Sequence, residues 1–246
     1  MSSSKFAATA LIVVVIMGAA CSRDLSARRA AGSPDDIAWQ ETNDAGQAAF
    51  KQGRYEEAAA LFNRAVTQAA PFGPNDGRLA TSLNNVAAVD RVQHKYAEAE
   101  TLDRQALEIQ ERVLGPNHLF VATTLLALAD SCRAQGRYDD AEPLVLRALV
   151  IRTKSLGPDH TDVAAARFAL AQIYAAQGRY EAAAPLYAET LATYEKNLGP
   201  NHAAVARVLD NYAALLRRSP RAAEAAALEA RAQAIRASQP APHPTH

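Results

Sequence analysis

Leu114-Gly115-Pro116-Asn117-His118 recurs as Leu156-Gly157-Pro158-Asp159-His160 and as Leu198-Gly199-Pro200-Asn201-His202, each copy 42 residues after the one before. A weaker copy, Phe72-Gly73-Pro74-Asn75-Asp76, stands one more period upstream. A fixed period of this size is the signature of a stacked repeat array. A second string alternates with the first: Gln52-Gly53-Arg54-Tyr55, Gln93-His94-Lys95-Tyr96, Gln135-Gly136-Arg137-Tyr138 and Gln177-Gly178-Arg179-Tyr180. Each period therefore holds two punctuation points and two segments. Both segments are rich in Ala and Leu and carry apolar residues at helical spacing. Leu125, Leu128, Ala129 and Cys132 share one face in the first kind; Ala141, Leu144, Val145, Ala148 and Ile151 do so in the second.

The punctuation has a mechanism. Glycine takes the positive-φ conformation that ends a helix, and the proline after it cannot continue one. Asn or Asp after the proline is expected to accept the first free N–H groups of the next helix. Asp139 and Glu181 suit the positive end of the second helix of each pair. Pro143 and Pro185 are expected in or just after its first turn, where a missing N–H costs least.

These residues resemble the tetratricopeptide repeat. Gly46, Gly53, Tyr55, Ala58, Phe62 and Ala65 match its small and aromatic positions, and Ala87, Ala129, Ala171, Ala213, Ala99, Ala141 and Ala183 continue them. The Leu-Gly-Pro-x-His and Gln-Gly-Arg-Tyr strings resemble its kinesin-light-chain-type variant. The resemblance implies an all-α fold, a right-handed α-solenoid of about five helix-turn-helix repeats. They are expected at about 36–70, 76–113, 118–155, 160–197 and 202–236 within an array of 36–237. Repeat two departs from the pattern with His94 in place of Gly and Asp90 in place of a large apolar residue. The last repeat departs further, with Ser219-Pro220-Arg221-Ala222 where the Gln-Gly-Arg-Tyr string should stand. A degraded end repeat is expected to cap the array with a polar outer face.

The first 20 residues read as a signal peptide: Lys5, then an uncharged apolar run from Phe6 to Ala20, then Cys21. Met17-Gly18-Ala19-Ala20-Cys21 resembles the bacterial lipobox, which implies lipidation of Cys21. Ser22 after it implies the outer membrane, with the protein facing the periplasm of the bacterial envelope. Two other readings stand beside this one. Ordinary cleavage would release a soluble periplasmic protein, and an uncleaved anchor would have fifteen apolar residues against the roughly twenty of a membrane span. Residues 21–35 read as a flexible tether and 238–246, rich in Pro and His, as a disordered tail.

Equal numbers of basic and acidic residues, 26 each, point to no nucleic acid. Only Cys21 and Cys132 are present, and Cys132 lies on the apolar face of its helix as a small core residue. His118, His160 and His202 invite a zinc reading, but equivalent positions of stacked pairs are held apart by helices about 8–10 Å thick, while zinc needs its nitrogens at about 2.0–2.1 Å. Their expected role is to fix the junctions between pairs. The sequence contains no phosphate loop, nucleophile elbow, Cys-x-x-Cys or His-Glu-x-x-His, so no enzyme activity, cofactor or metal is expected.

In the tetratricopeptide family the first helix of each pair lines a concave groove. The resemblance places Asn43, Gln47 and Lys51 there from repeat one, and Thr81, Asn84 and Arg91 from repeat two. Repeat three supplies Thr123, Leu126, Asp130 and Arg133; repeat four, Phe168 and Gln172; repeat five, Arg207, Asp210 and Arg217. Arg91, Arg133 and Arg217 are expected to pair with a partner's carboxylates, Asn84 to grip a peptide backbone, and Leu126 and Phe168 to form an apolar pocket. The function implied is a membrane-anchored scaffold that binds a peptide or protein partner in this groove. The alternative is a module that self-associates through helix faces, or an accessory subunit of an envelope machine.

Overall fold

The computed structural model describes residues 33–219 and 221–238. Cys21, the apolar segment before it, the start of the tether and the tail from residue 239 lie outside them. The all-α expectation holds: the described residues form ten α-helices and one 3-10 turn, with no strand. In chain order the helices are α1 (Pro34–Lys51), α2 (Tyr55–Ala69), α3 (Gly77–Val92), α4 (Tyr96–Leu114) and α5 (Leu119–Ala134). They continue as α6 (Tyr138–Leu156), α7 (Thr161–Ala176), α8 (Tyr180–Leu198), α9 (Ala203–Leu216) and α10 (Ala222–Ser238). Odd-numbered helices are the first of each pair and even-numbered ones the second. Two compact units divide the chain, residues 1–141 and 142–246.

Every second helix that opens the Gln-Gly-Arg-Tyr way begins at the tyrosine, because the glycine two residues earlier turns the chain at positive φ. Gly53, Gly136 and Gly178 sit at φ 74, 76 and 78. His94 takes the same turn at φ 62, the single non-glycine residue to do so among those described. Its Nδ1 lies 2.8 Å from the Tyr96 hydroxyl, which fixes the ring. Pro143 and Pro185 are each the sixth residue of their helix, just after the first turn as expected, where each removes one intrahelical hydrogen bond.

In the first unit α1, α2 and α3 close around Phe62, Ala49, Ala58, Phe50 and Val89. Gly46 is required there: a Cβ would stand 2.6 Å from the Phe62 ring. Trp39, 2 % exposed, donates its indole N–H to Ser82 Oγ at 2.9 Å and ties α1 to α3. Helix α3 is buried almost throughout, from Ala80 to Val89. Cys132 is fully buried, as expected, and burial pushes its thiol above its ordinary value.

In the second unit the interior is aromatic. Phe168 and Tyr187 meet edge to face at 5.8 Å, and Tyr187 stacks on Tyr212 at 5.8 Å. The outer surface of α10 corrects the expectation of a polar cap. Ala223, Ala226, Ala227, Ala230, Ala234 and Ala237 are all exposed along it. Alanine has the highest helix propensity and little apolar area, so the end helix is stable without a polar face. The helix continues through Ser238, whose hydroxyl donates to the Ile235 carbonyl at 2.7 Å.

Candidate interaction face

The first helices start on a histidine cap. His118, His160 and His202 each stand at the N-cap in extended backbone, and their Nδ1 accepts the N–H of Phe120, Asp162 and Ala204 at 3.2, 3.0 and 3.1 Å. The cap is therefore the histidine and not Asn117, Asp159 or Asn201 as expected. The helix begins one residue later, which puts the imidazole within reach of the second free N–H. The weak first copy makes the same cap with Asp76, which accepts from Arg78 N–H at 2.9 Å. At the first helix among the described residues Ser33 is the cap, with Asp35 and Asp36 in the first turn.

Two salt-bridge staples repeat with the register. Glu100 of α4 receives Arg137 and Gln135 in the first unit. Glu142 receives Arg179 at 2.8 Å and Gln177 at 3.4 Å in the second. Burial pushes Glu100 up, but hydrogen bonds from Arg104, Arg137 and Gln135 outweigh it and hold the carboxyl below its ordinary value.

In the first unit most of the side chains assigned to the groove are spent inside. Asn43, fully buried, accepts from Asn85 Nδ2 at 2.8 Å. Asn84 donates to Thr124 Oγ1 at 2.9 Å, and that hydroxyl donates to Gln110 Oε1 at 2.8 Å, linking α3, α5 and α4. Thr81 donates to the Gly77 carbonyl, and Gln47 and Leu126 are buried. Arg91 is the clearest correction. It is 4 % exposed and its guanidinium is held by the wholly buried carboxylate of Asp103, so it is not presented to a partner. Asp130 and Arg133 pair with each other, both half-buried; Thr123 is also half-buried, and Lys51 is exposed.

In the second unit Phe168 is buried, so the apolar pocket assigned to it is filled by its own neighbours. The polar members stay accessible. Gln172 of α7 donates to Asn211 Oδ1 of α9 at 3.3 Å, and Asn211 Nδ2 donates to the Arg207 carbonyl at 2.9 Å. Arg207 is exposed and its guanidinium lies 5.7 Å over the Phe168 ring. Asp210 pairs with Arg236, and Arg217, exposed, with Glu229. This surface combines an amide pair able to exchange hydrogen bonds with a peptide backbone and guanidinium groups suited to carboxylates. Asn211 was missed by sequence reasoning, although it stands three periods after Asn85.

Among the described residues no helix is long and apolar enough to cross a membrane, and no cluster of His, Cys, Asp or Glu is placed to hold a metal ion.

Comparison with known proteins bears on this arrangement. One model of the tetratricopeptide repeat matches residues 78–149, 121–196 and 177–238, and a second model of that repeat matches 26–74. A Podosopora anserina protein with nearly identical TPR-like repeats of the kinesin-light-chain kind is 23% identical, covers 80% of this chain and 94% of its own, and superposes with a TM-score of 0.68. BtubC (BKLC) from P. vanneervenii is 19% identical over 92% of this chain and 91% of its own, with a TM-score of 0.71. MamA from Desulfovibrio magneticus RS-1 is 14% identical over 84% and 98%, with a TM-score of 0.59. At these identities the likeness is one of fold. Comparison with curated proteins found no match.

Proposed function

This chain belongs to the tetratricopeptide repeat family, and from that premise we propose that it is a non-enzymatic scaffold that holds a peptide or protein partner on the first-helix face of its second unit. The observation that carries this reading is the accessible set Gln172, Arg207, Asn211 and Arg217 on α7, on α9 and at the C-cap of α9. At the corresponding face of the first unit, Asn43, Asn84 and Arg91 are buried as well as bonded to other side chains. Backbone amides of an extended peptide match Gln172 and Asn211, and acidic side chains match the two arginines. The test is crosslinking capture from intact cells of the natural host, comparing wild type with Arg207→Glu, Asn211→Ala, Arg217→Glu at equal abundance. A partner captured by wild type and lost from the variant supports the reading; an unchanged set of partners refutes it. Arg91 is left intact in that variant, because replacing it would strand Asp103 and confound binding with folding.

We further propose that Cys21 is lipidated and tethers the array to the periplasmic side of the outer membrane. The support is the short positive segment, the apolar run and the small residues before Cys21. Several acyl chains are needed for stable anchoring, since a single chain binds only marginally. Metabolic labelling with a fatty acid tests it: label on the wild type and none on Cys21→Ala, with that variant in the soluble fraction, is the expected result. An unlabelled wild type in the soluble periplasm would establish the released form instead.

A further inference from the structure

Helix α6 carries an outward stripe unlike that of its sibling helices. Asp139, Pro143, Leu146, Val150 and Lys154 follow one another at intervals of four, three, four and four residues, which keeps them on one face of a helix. All five are exposed, Leu146 at 39% and Val150 at 53%. At the same register α4 has Ala97, Thr101, Arg104, Glu108 and Arg112, and α8 has Glu181, Pro185, Ala188, Ala192 and Lys196. Single exposed apolar side chains are ordinary. Here Pro143, Leu146 and Val150 are contiguous. At the centre of the stripe, two large apolar side chains stand where α4 has charges and α8 has alanines.

The order of the stripe identifies its occupant. Read in one direction it is acid, proline, leucine, valine, base; its midpoint lies between residues 146 and 147. A second α6 laid antiparallel about that midpoint sets Asp139 against Lys154 at both ends and Pro143 against Val150, and brings the two Leu146 side chains together at the centre. Asp139 and Lys154 are fifteen residues apart, about 22 Å along the helix at 1.5 Å per residue. The acidic first turn, with Asp139 and Asp140, then faces the basic last turn of the partner helix, and the two helix dipoles oppose. A parallel pairing would set acid on acid and base on base. We infer that α6 is a self-complementary docking helix through which two copies of this chain form an isologous, two-fold dimer. One helix pair is a small interface, so the dimer is weak, with a dissociation constant in roughly the micromolar range or above. It uses the outward face of a second helix and leaves the first-helix face of each copy open to a different partner.

Sedimentation velocity of the full chain in a mild non-ionic detergent, across a concentration series, is the experiment. Wild type should shift from monomer to dimer with rising concentration. Leu146→Glu with Val150→Glu should weaken the dimer roughly thirtyfold or more, as loss of the central apolar contacts of an interface does. Lys154→Glu should weaken it by roughly threefold, in keeping with an exposed ion pair. Adding Asp139→Lys to that variant should restore it, a rescue that a purely structural role for either residue would not produce. Circular dichroism of each variant should be that of wild type, because every replaced side chain is exposed. A chain that stays monomeric throughout, a dimer indifferent to the Leu146 and Val150 changes, or a photocrosslinker at position 146 that captures only another protein would each overturn the inference.

Discussion

The second and fourth helix pairs occupy the same places in the repeat and fill them with opposite chemistry. Asn84, Arg91 and Asp103 in α3 and α4 stand two periods before Phe168, Ala175 and Tyr187 in α7 and α8. The fourth pair closes on an aromatic contact, Phe168 against Tyr187. The second closes on a buried ion pair and a hydrogen-bonded chain, Asn84 to Thr124 to Gln110. A helix pair thus tolerates either solution, provided each polar group finds its partner inside. The difference lies in what happens when one member is lost. An aromatic contact leaves a cavity, whereas an ion pair leaves a buried ionisable group without its counterion.

The largest effect should come from breaking the ion pair. Arg91→Ala should destabilise the first unit by about 3–5 kcal/mol in urea denaturation, because Asp103 is left buried with no counterion. Arg91→Leu together with Asp103→Val should recover wild-type stability or exceed it by about 1–4 kcal/mol. Tyr187→Ala in the second unit should cost about 3 kcal/mol through the cavity it leaves. If Arg91→Ala proved milder than Tyr187→Ala, the contrast between the two interiors would fail.

The same pair makes the first unit sensitive to pH. Burial pushes the Asp103 carboxyl up to about 7 against the opposing pull of Arg91. In the unfolded chain it titrates near its ordinary 3.8. A folded value above the unfolded one means the contribution is full below the unfolded value and is lost as pH rises through about 7. The urea midpoint should therefore fall as pH rises from about 4 to about 7 in wild type and level off above that, and Asp103→Asn should flatten that slope. Hydrogen exchange in α7 and α8, where Tyr187 replaces the carboxylate, should not follow it.

Smaller effects separate the turns. His94 holds at φ 62 a turn that Gly178 makes at φ 78. His94→Gly should stabilise by about 0.5–1 kcal/mol, and Gly178→Ala should destabilise by about 1 kcal/mol, both read as shifts in thermal midpoint. The smallest change tests the caps. His160→Ala should cost about 1 kcal/mol and His160→Asp close to nothing, since Asp76 already performs the same task at the first junction.

Much of this protein is legible in its sequence. The Gly-Pro and Gln-Gly-Arg-Tyr strings, the helical spacing between them and the 42-residue register foretold five helix pairs, and ten helices are found among the described residues. These are local properties: a glycine at positive φ and a run of apolar residues at period 3.6 act within a few residues of themselves. Even the histidine caps were in reach, because a ring one residue before a helix start is a local signal. Depth was not. Register put Asn43, Asn84, Leu126, Phe168 and Asp210 on equivalent positions of the first helices, yet the first four are buried and only Asp210 stays partly open.

What the sequence by itself determined is where each helix begins and ends and which residues share a face. What only the tertiary structure decided is which of those residues still meet solvent. The partners that consume Asn43, Asn84 and Arg91 lie 42, 40 and 12 residues away. Whether a side chain is covered depends on the size and polarity of what the neighbouring helices bring against it, and no rule acting along the chain encodes that.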